Sequence, residues 1–334
     1  MNKTLKITLA SMLLATGYTQ AEETETTLNA YAAGYTAGFT CSAVFNANKS
    51  MAQVREHELS GIYSLIAERV KGMTPEVDKE NNWVRVPYDE GRRERISVWR
   101  SKLGCVDLPV GATVDDAKFL ADPFRGDKAA NKDSGAPWGK RAEVNATSDN
   151  AQLESVLKQA FTKKYGSGSR TSAVLIVTPD EIIAERYLEG FSPETAQRTW
   201  SVAKSIGASV IGAAIQQNKI ELDAPAGISN WAHPLDPRGH ITLENLLHMA
   251  SGLDSNNAGN RTDRVYMGGG LVSDTATETA LEVAPGSRWK YANNDTMLAL
   301  RALHERFDTT EEYLKFPYKA LLEKIGMQHT FVET

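Results

Sequence analysis

A chain of 334 residues, 41% apolar and 24% charged, has the composition of an ordinary globular protein and is long enough to bury a large core. Its net charge of −5 supplies neither the basic surplus nor the basic stripe of a nucleic-acid binder, so no nucleic-acid partner is expected.

The N-terminus reads as a processing signal. Lys3 and Lys6 precede a short apolar run over 7–18 that contains Leu9, Met12, Leu13 and Leu14. Thr19-Gln20-Ala21 then offers small residues for cleavage, and Glu22-Glu23 follow. The run is too short to span a bilayer. Residues 1–21 are therefore expected to be a cleaved signal peptide, leaving a periplasmic or secreted protein with no transmembrane segment; an uncleaved anchor is the alternative. Export bears on Cys41 and Cys105, the two cysteines of the chain. In an oxidising compartment they are expected to form a disulfide, with two buried free thiols as the alternative. Neither has a His or a second Cys at ligand spacing, and no metal or cofactor is expected.

Residues 22–121 read as a small mixed accessory unit carrying both cysteines. Over 51–70 the residues Val54, Leu59, Ile62, Leu65 and Ile66 fall near a period of 3.6, predicting a helix. Short strands are predicted at 83–86 and 96–99, on either side of a turn-rich stretch at 87–91. Pro123, Gly126, Gly135 and Pro137 predict a linker over 122–140. In the remainder, 141–334, a helix is expected over 150–165 with Ser148-Asp149-Asn150 as its cap. The apolar run at 172–177 predicts a buried strand, and 182–187 its hairpin partner. With another helix starting at Ser201, this order predicts an α/β (α+β) sandwich around an antiparallel sheet. Residues 221–330 read as mostly helix and loop.

Trp200-Ser201-Val202-Ala203-Lys204-Ser205 opens a run of small and apolar residues. A helix beginning at Ser201 places Lys204 one turn later on the same face. A serine hydroxyl is a poor nucleophile until something removes its proton. A lysine held against an apolar, largely buried helix is costly to keep charged, and its neutral amine can serve as the base. The helix N-terminus adds a field that favours the developing alkoxide. Taken alone, the tetrapeptide fits equally well a capping Ser with a Lys reaching out to water. Two more blocks follow in order: Ile241-Thr242-Leu243-Glu244-Asn245-Leu246-Leu247-His248-Met249-Ala250-Ser251-Gly252-Leu253, then Pro285-Gly286-Ser287-Arg288-Trp289-Lys290-Tyr291-Ala292-Asn293-Asn294-Asp295.

With these three blocks the chain resembles the serine β-lactamase and penicillin-binding-protein superfamily. It is most similar to the class C-like branch, which includes D-Ala-D-Ala carboxypeptidases, esterases and 6-aminohexanoate-dimer hydrolase. The blocks match that branch's S-x-x-K element, its I-T-x-x-x-L-L-x-M-x-S-G-L helix and its P-G-x-x-W-x-Y-x-N loop. The resemblance implies a β-lactamase/transpeptidase-like fold: an antiparallel sheet flanked by helices, plus a helical subdomain. It also implies a serine hydrolase acting on a small-molecule amide, ester or D-amino-acid peptide. Ser201 would be the acylated nucleophile, Lys204 its deprotonating partner and Tyr291 the phenol that relays a proton, with the first base left open between Lys204 and Tyr291. Asn293 would hydrogen-bond the lysine and the substrate, and Tyr266 would line the substrate pocket. The block at 241–253 is given a structural role. The family's third element, a K-T-G or H-x-G strand, would fall beyond Thr334, so the expectation is a fragment or truncated chain whose C-terminal strands are missing. A non-catalytic envelope- or peptidoglycan-binding protein that kept the fold is the alternative.

Other motifs are set aside. Ser148-Asp149-Asn150 spells the S-D-N of class A β-lactamases but precedes Ser201, where that element belongs after it. No G-x-S-x-G elbow and no H-E-x-x-H pair occurs.

Overall fold

The computed structural model describes residues 24–126, 140–141, 143–255 and 263–333. The expected signal peptide and most of the expected linker, residues 127–139, lie outside these.

Thr24 starts the first helix by accepting the amide of Thr27 on its hydroxyl at 3.1 Å, which satisfies an otherwise orphaned donor. That helix, α1 (Glu25–Cys41), was not visible in the periodicity, because buried Ala, Gly and Thr surround its large Tyr31, Tyr35 and Phe39 and leave no polar face to contrast with them. Ala30, Ala33 and Ala37 are buried, so α1 lies close against a four-stranded antiparallel meander in the order β1 (Glu76–Asp78), β2 (Trp83–Val86), β3 (Arg95–Arg100) and β4 (Gly104–Asp107). The expected strands are the central pair, with Trp83 opposite Val98. Strand β1 is only three residues long, and β4, Gly-Cys-Val-Asp, carries no alternating apolar pattern. Cys41, at the end of α1, and Cys105, on β4, form a disulfide.

The helix expected over 51–70 is broken in two. The first piece is α2 (Met51–Gln53), opened by a Ser50 capping box and continued by a π-helical turn (Val54–Glu58). The second is α3 (Ser64–Gly72). Gly61 lies between them at φ 67°, a backbone conformation that ends a right-handed helix.

In the second half, Asn150 caps α4 (Ala151–Ala160) by accepting from the amides of Gln152 and Leu153. A three-stranded sheet has the order β5 (Lys140–Arg141), β7 (Glu181–Tyr187), β6 (Ala173–Val177). The β6–β7 pair is the expected hairpin, and β5 runs parallel to β7. One expectation fails here: β6 is not buried. It sits at the sheet edge among the described residues, and Leu175 is 55% exposed. Its continuous apolar run reflects β-propensity at an uncovered face.

The helices α5 (Val202–Gln216), α6 (Leu243–Leu247), α7 (Val272–Thr277), α8 (Asn293–His304) and α9 (Thr310–Pro317) close around one core that includes Val210, Ile211, Leu243, Leu246, Leu298 and Leu303. Antiparallel sheets flanked by helices, with a helical subdomain, are the expected fold class. The N-terminal unit is joined to the rest by shared core. Leu103 and Phe124 pack with Leu314, Tyr318 and Leu322, and Tyr35 and Phe39 pack with Tyr266. Phe124 falls at the start of the expected linker, so that stretch begins as packed structure. Among the described residues, no helix is long and apolar enough to cross a membrane.

The disulfide closes a separation of 64 residues. Replacing Cys41 and Cys105 by Ser is expected to lower unfolding free energy by about 4 kcal/mol on the chain-entropy account, as measured by urea denaturation. A loss under about 1 kcal/mol would mean that the shared cores hold the N-terminal unit unaided.

Candidate active site

Gly207, Val210, Ile211 and Ala214 recur at helical spacing and bury one side of α5, which packs against α8. This stripe fixes the rotation of α5 about its axis, and with it the direction of the polar residues in the first turn. Ser201 occupies the N-cap position, yet its hydroxyl makes no cap hydrogen bond. Instead Lys204 Nζ donates to Ser201 Oγ at 3.1 Å, and Tyr291 Oη lies 3.4 Å from the same oxygen. A capping serine with a lysine reaching away into water does not describe this turn.

The outer face of α5 differs from expectation. Val202 is 61% exposed, and Ala203, Ser205, Ala208 and Ser209 are exposed with it. The helix is buried on one side only, because the residues on its outer face are mostly too small to need cover. Lys204 is accordingly half-buried rather than enclosed.

The turn into α5 is tight. Trp200 has φ 46°, in the left-handed region, which costs a bulky residue on the order of 1–3 kcal/mol. Two backbone bonds close the turn: Val202 N–H donates to Thr199 O at 3.1 Å, and Ala203 N–H to Trp200 O at 2.9 Å. The Ser201 amide donates no backbone hydrogen bond among the described residues.

Tyr291 reaches Ser201 because the 241–253 block holds its loop. Thr242 caps α6, but the helix stops at Leu247 rather than running the length of the block, and Met249 turns left-handed at φ 53°. The following residues lie along the 280–290 loop: Gly286 N–H donates to Ala250 O at 2.8 Å, Glu282 N–H to Gly252 O at 2.8 Å, and Lys290 N–H to Met249 O at 3.0 Å. Gly252 is required here. Its φ is 79°, and a Cβ would come within 2.2 Å of Val283 O. Ser251 then reaches across to α8, where its hydroxyl donates to Asp295 Oδ1 at 2.9 Å. Both residues are buried. Sequence reasoning passed over Asp295, since an acidic residue in a first helical turn is ordinary macrodipole chemistry. A carboxylate two residues after the Y-x-N asparagine was its only trace.

The electrostatics centre on the phenol. Tyr291 is held below the ordinary tyrosine range, first by its hydrogen bond with Ser201, then by that with Lys204 and by the lysine charge, against an opposing effect of desolvation. The ammonium also lies 5.5 Å from the Tyr291 ring centroid. The other expected site residues are placed differently. Asn293 opens α8, and no hydrogen bond joins it to Lys204 among the described residues. Tyr266 is buried, its ring 5.1 Å from that of Tyr35 and 6.1 Å from that of Phe39.

Burial pushes the Asp295 carboxyl up to about 6. The folded protein thus holds that proton to higher pH than the unfolded chain does. The stability it contributes is complete below about 4 and is lost as pH rises through about 6. Between pH 4 and 8 the wild type should lose roughly 2–3 kcal/mol relative to Asp295→Asn, as read by chemical denaturation at each pH. Parallel profiles would show that Asp295 ionises freely.

The Beta-lactamase family model matches residues 157–334, more than half of the chain and all three blocks that build this site. No curated protein matches the chain significantly. Sequence match, fold and the Ser201–Lys204–Tyr291 cluster agree, and the chain belongs to the Beta-lactamase family, within the serine β-lactamase and penicillin-binding-protein superfamily.

Proposed function

We propose that the protein is a serine hydrolase that cleaves an amide or ester through an acyl-Ser201 intermediate. The observation that carries this reading is a serine hydroxyl left free of capping and placed 3.1 Å from an amine and 3.4 Å from a phenol. Family membership points to hydrolysis of small molecules.

In the acylation step the Ser201 proton passes to Lys204 or Tyr291 as Oγ bonds to the substrate carbonyl carbon. The carbonyl oxygen takes the negative charge, and the uncommitted Ser201 N–H supports one donor for it. The same proton then passes to the leaving amine or alcohol as its bond to carbon breaks, leaving an acyl ester on Ser201. Attack by water releases the acid and restores the hydroxyl. Tyr291 suits the relay because a phenol below its usual range exchanges protons nearer neutral pH. The resemblance to the class C-like branch favours a linear or cyclic oligomeric amide, a carboxylic ester or a D-amino-acid peptide as substrate. The features of residues 1–21 favour export to the periplasm or beyond, and their removal.

A fluorophosphonate probe, with intact-mass detection, tests the nucleophile. One adduct is expected on the wild type and none on Ser201→Ala, with labelling of Lys204→Ala slowed on the order of 10²–10⁴-fold. Equal labelling of wild type and Lys204→Ala would overturn the relay, and a folded wild type that never labels would favour a binding protein. The phenol is read separately by ultraviolet titration. The ionisation that Tyr291→Phe removes should lie below the ordinary value of about 10 and move up in Ser201→Ala, which lacks the hydrogen bond contributing most. An unchanged midpoint in Ser201→Ala would show that the hydroxyl does not bear on the phenol.

A further inference from the structure

The left-handed Trp200 precedes Ser201, and it is held from outside its own part of the chain. Phe39, on α1 of the N-terminal unit, is buried at the meeting point of four groups. Its ring stacks on Tyr35 at 3.9 Å between centroids, and Tyr266 meets it edge-on at 6.1 Å. The Trp200 ring leans on it at 5.8 Å. The guanidinium carbon of Arg198 lies 3.8 Å from its centroid, a planar cation against an aromatic face. Arg198 lies between two carboxylates in long ion pairs: Nε is 3.8 Å from Glu58 Oε2, and Nη1 is 3.8 Å from Glu333 Oε2. Two residues of the turn that delivers the nucleophile, Arg198 and Trp200, therefore rest on one ring contributed by α1.

The seating of that ring is itself specified. Gly34, in the middle of α1, faces the backbone of Tyr266 so closely that a Cβ would lie 2.1 Å from Tyr266 O. Only glycine lets the Tyr266 segment come down against α1 and place its ring beside Phe39. Cys41, two residues beyond Phe39, ties the end of α1 to β4. The helix, the disulfide and the Tyr266 segment together hold Phe39 where Arg198 and Trp200 meet it.

We infer that Phe39 and Arg198 are positioning residues for the nucleophile: they hold the left-handed Trp200 turn that aims Ser201 Oγ at Lys204 and Tyr291, which makes the N-terminal unit a working part of the site. The inference rests on the reading of Ser201 as nucleophile. Trp200 is 63% exposed and sits in a conformation that bulky side chains avoid, so local burial alone does not hold it there. Without Phe39 the turn can relax, and small misplacements of a nucleophile cost on the order of 10²-fold in rate.

The experiment measures acylation by an activated ester or fluorophosphonate under saturation, separating the maximal acylation rate from half-saturation. The proteins are the wild type, Phe39→Ala, Phe39→Tyr, Arg198→Lys, Val70→Ala and Ser201→Ala. Val70 is buried in the same cluster but on α3, outside the helix that carries Phe39, so it controls for lost stability. Phe39→Ala should lose on the order of 10²-fold in maximal acylation rate with half-saturation little changed, and Phe39→Tyr should restore it. Val70→Ala should acylate at the wild-type rate despite its lower melting temperature. Arg198→Lys keeps the charge and loses the planar stack, so it should fall between, and it decides the matter if Phe39→Ala does not fold. Wild-type acylation by folded Phe39→Ala or Arg198→Lys overturns the inference, as does an equal loss in Val70→Ala. Failure of the underlying reading looks different: Ser201→Ala would then label as fast as wild type, whatever Phe39 does.

Discussion

The site depends on the rotational setting of one helix. Ser201 and Lys204 are three residues apart, a spacing that brings their side chains together only while α5 keeps its first turn and presents that turn outward. The stripe of Gly207, Val210, Ile211 and Ala214 enforces this by giving α5 a single side that can be buried. Rolling the helix far enough to part the hydroxyl from Tyr291 would expose Ile211, which is now fully buried, and bring the small residues of the outer face against the core. A lysine has many rotamers to lose on ordering, and a hydrogen bond to a neutral hydroxyl offsets only part of that loss. The fixed helix leaves few alternatives in which the amine finds a better partner.

Much of this was legible in the amino-acid sequence, and the gaps have physical causes. The three blocks were legible through their resemblance to the ordered motifs of the superfamily; taken alone, the Ser201-to-Lys204 tetrapeptide also reads as a capped helix start, and Tyr291 as a packing residue. Strands β2, β3, β6 and β7 showed because their runs are long enough to alternate or to stay apolar. Helix α1 did not, since it is buried on nearly every side from Ala30 to Cys41, and no polar face is left to contrast with Tyr31, Tyr35 and Phe39. The single helix expected over 51–70 failed at Gly61, where one φ outweighs twenty residues of fair periodicity. The 241–253 block was read correctly as structural, but its purpose was not visible. Only three-dimensional placement shows that Met249, Ala250 and Gly252 clamp the loop carrying Tyr291 and that Ser251 meets Asp295.

Composition also suggested that residues 22–121 form an accessory unit behind a linker. The packing shows how closely that unit is bound to the remainder. Tyr318 of the second half packs with Leu103 of the unit and edge-on, at 5.1 Å, against Phe124 just beyond it, and Val332 N–H donates to Lys102 O at 3.0 Å. Contacts of this kind do not slide, because close-packed rings and paired backbone groups have few alternative registers. The disulfide therefore acts on more than its own loop: it fixes the end of the helix whose last turn sets Phe39 against Arg198 and Trp200.

The Tyr291 phenol gives the last link between packing and chemistry. Its proton affinity is set by neighbours rather than by enclosure, since Ser201 and Lys204 lower it while desolvation acts the other way. Tyr291 is 45% exposed, so water screens these interactions in the free protein. A substrate that covers Ser201 displaces that water and lowers the local dielectric, and every charge-dependent contact among the three side chains grows stronger. The lysine ammonium then stabilises a phenolate more effectively than before, while an unpaired phenolate becomes harder to sustain. In the proposed relay, covering the site thus sharpens the dependence of Tyr291 on Lys204 at the moment a proton has to move.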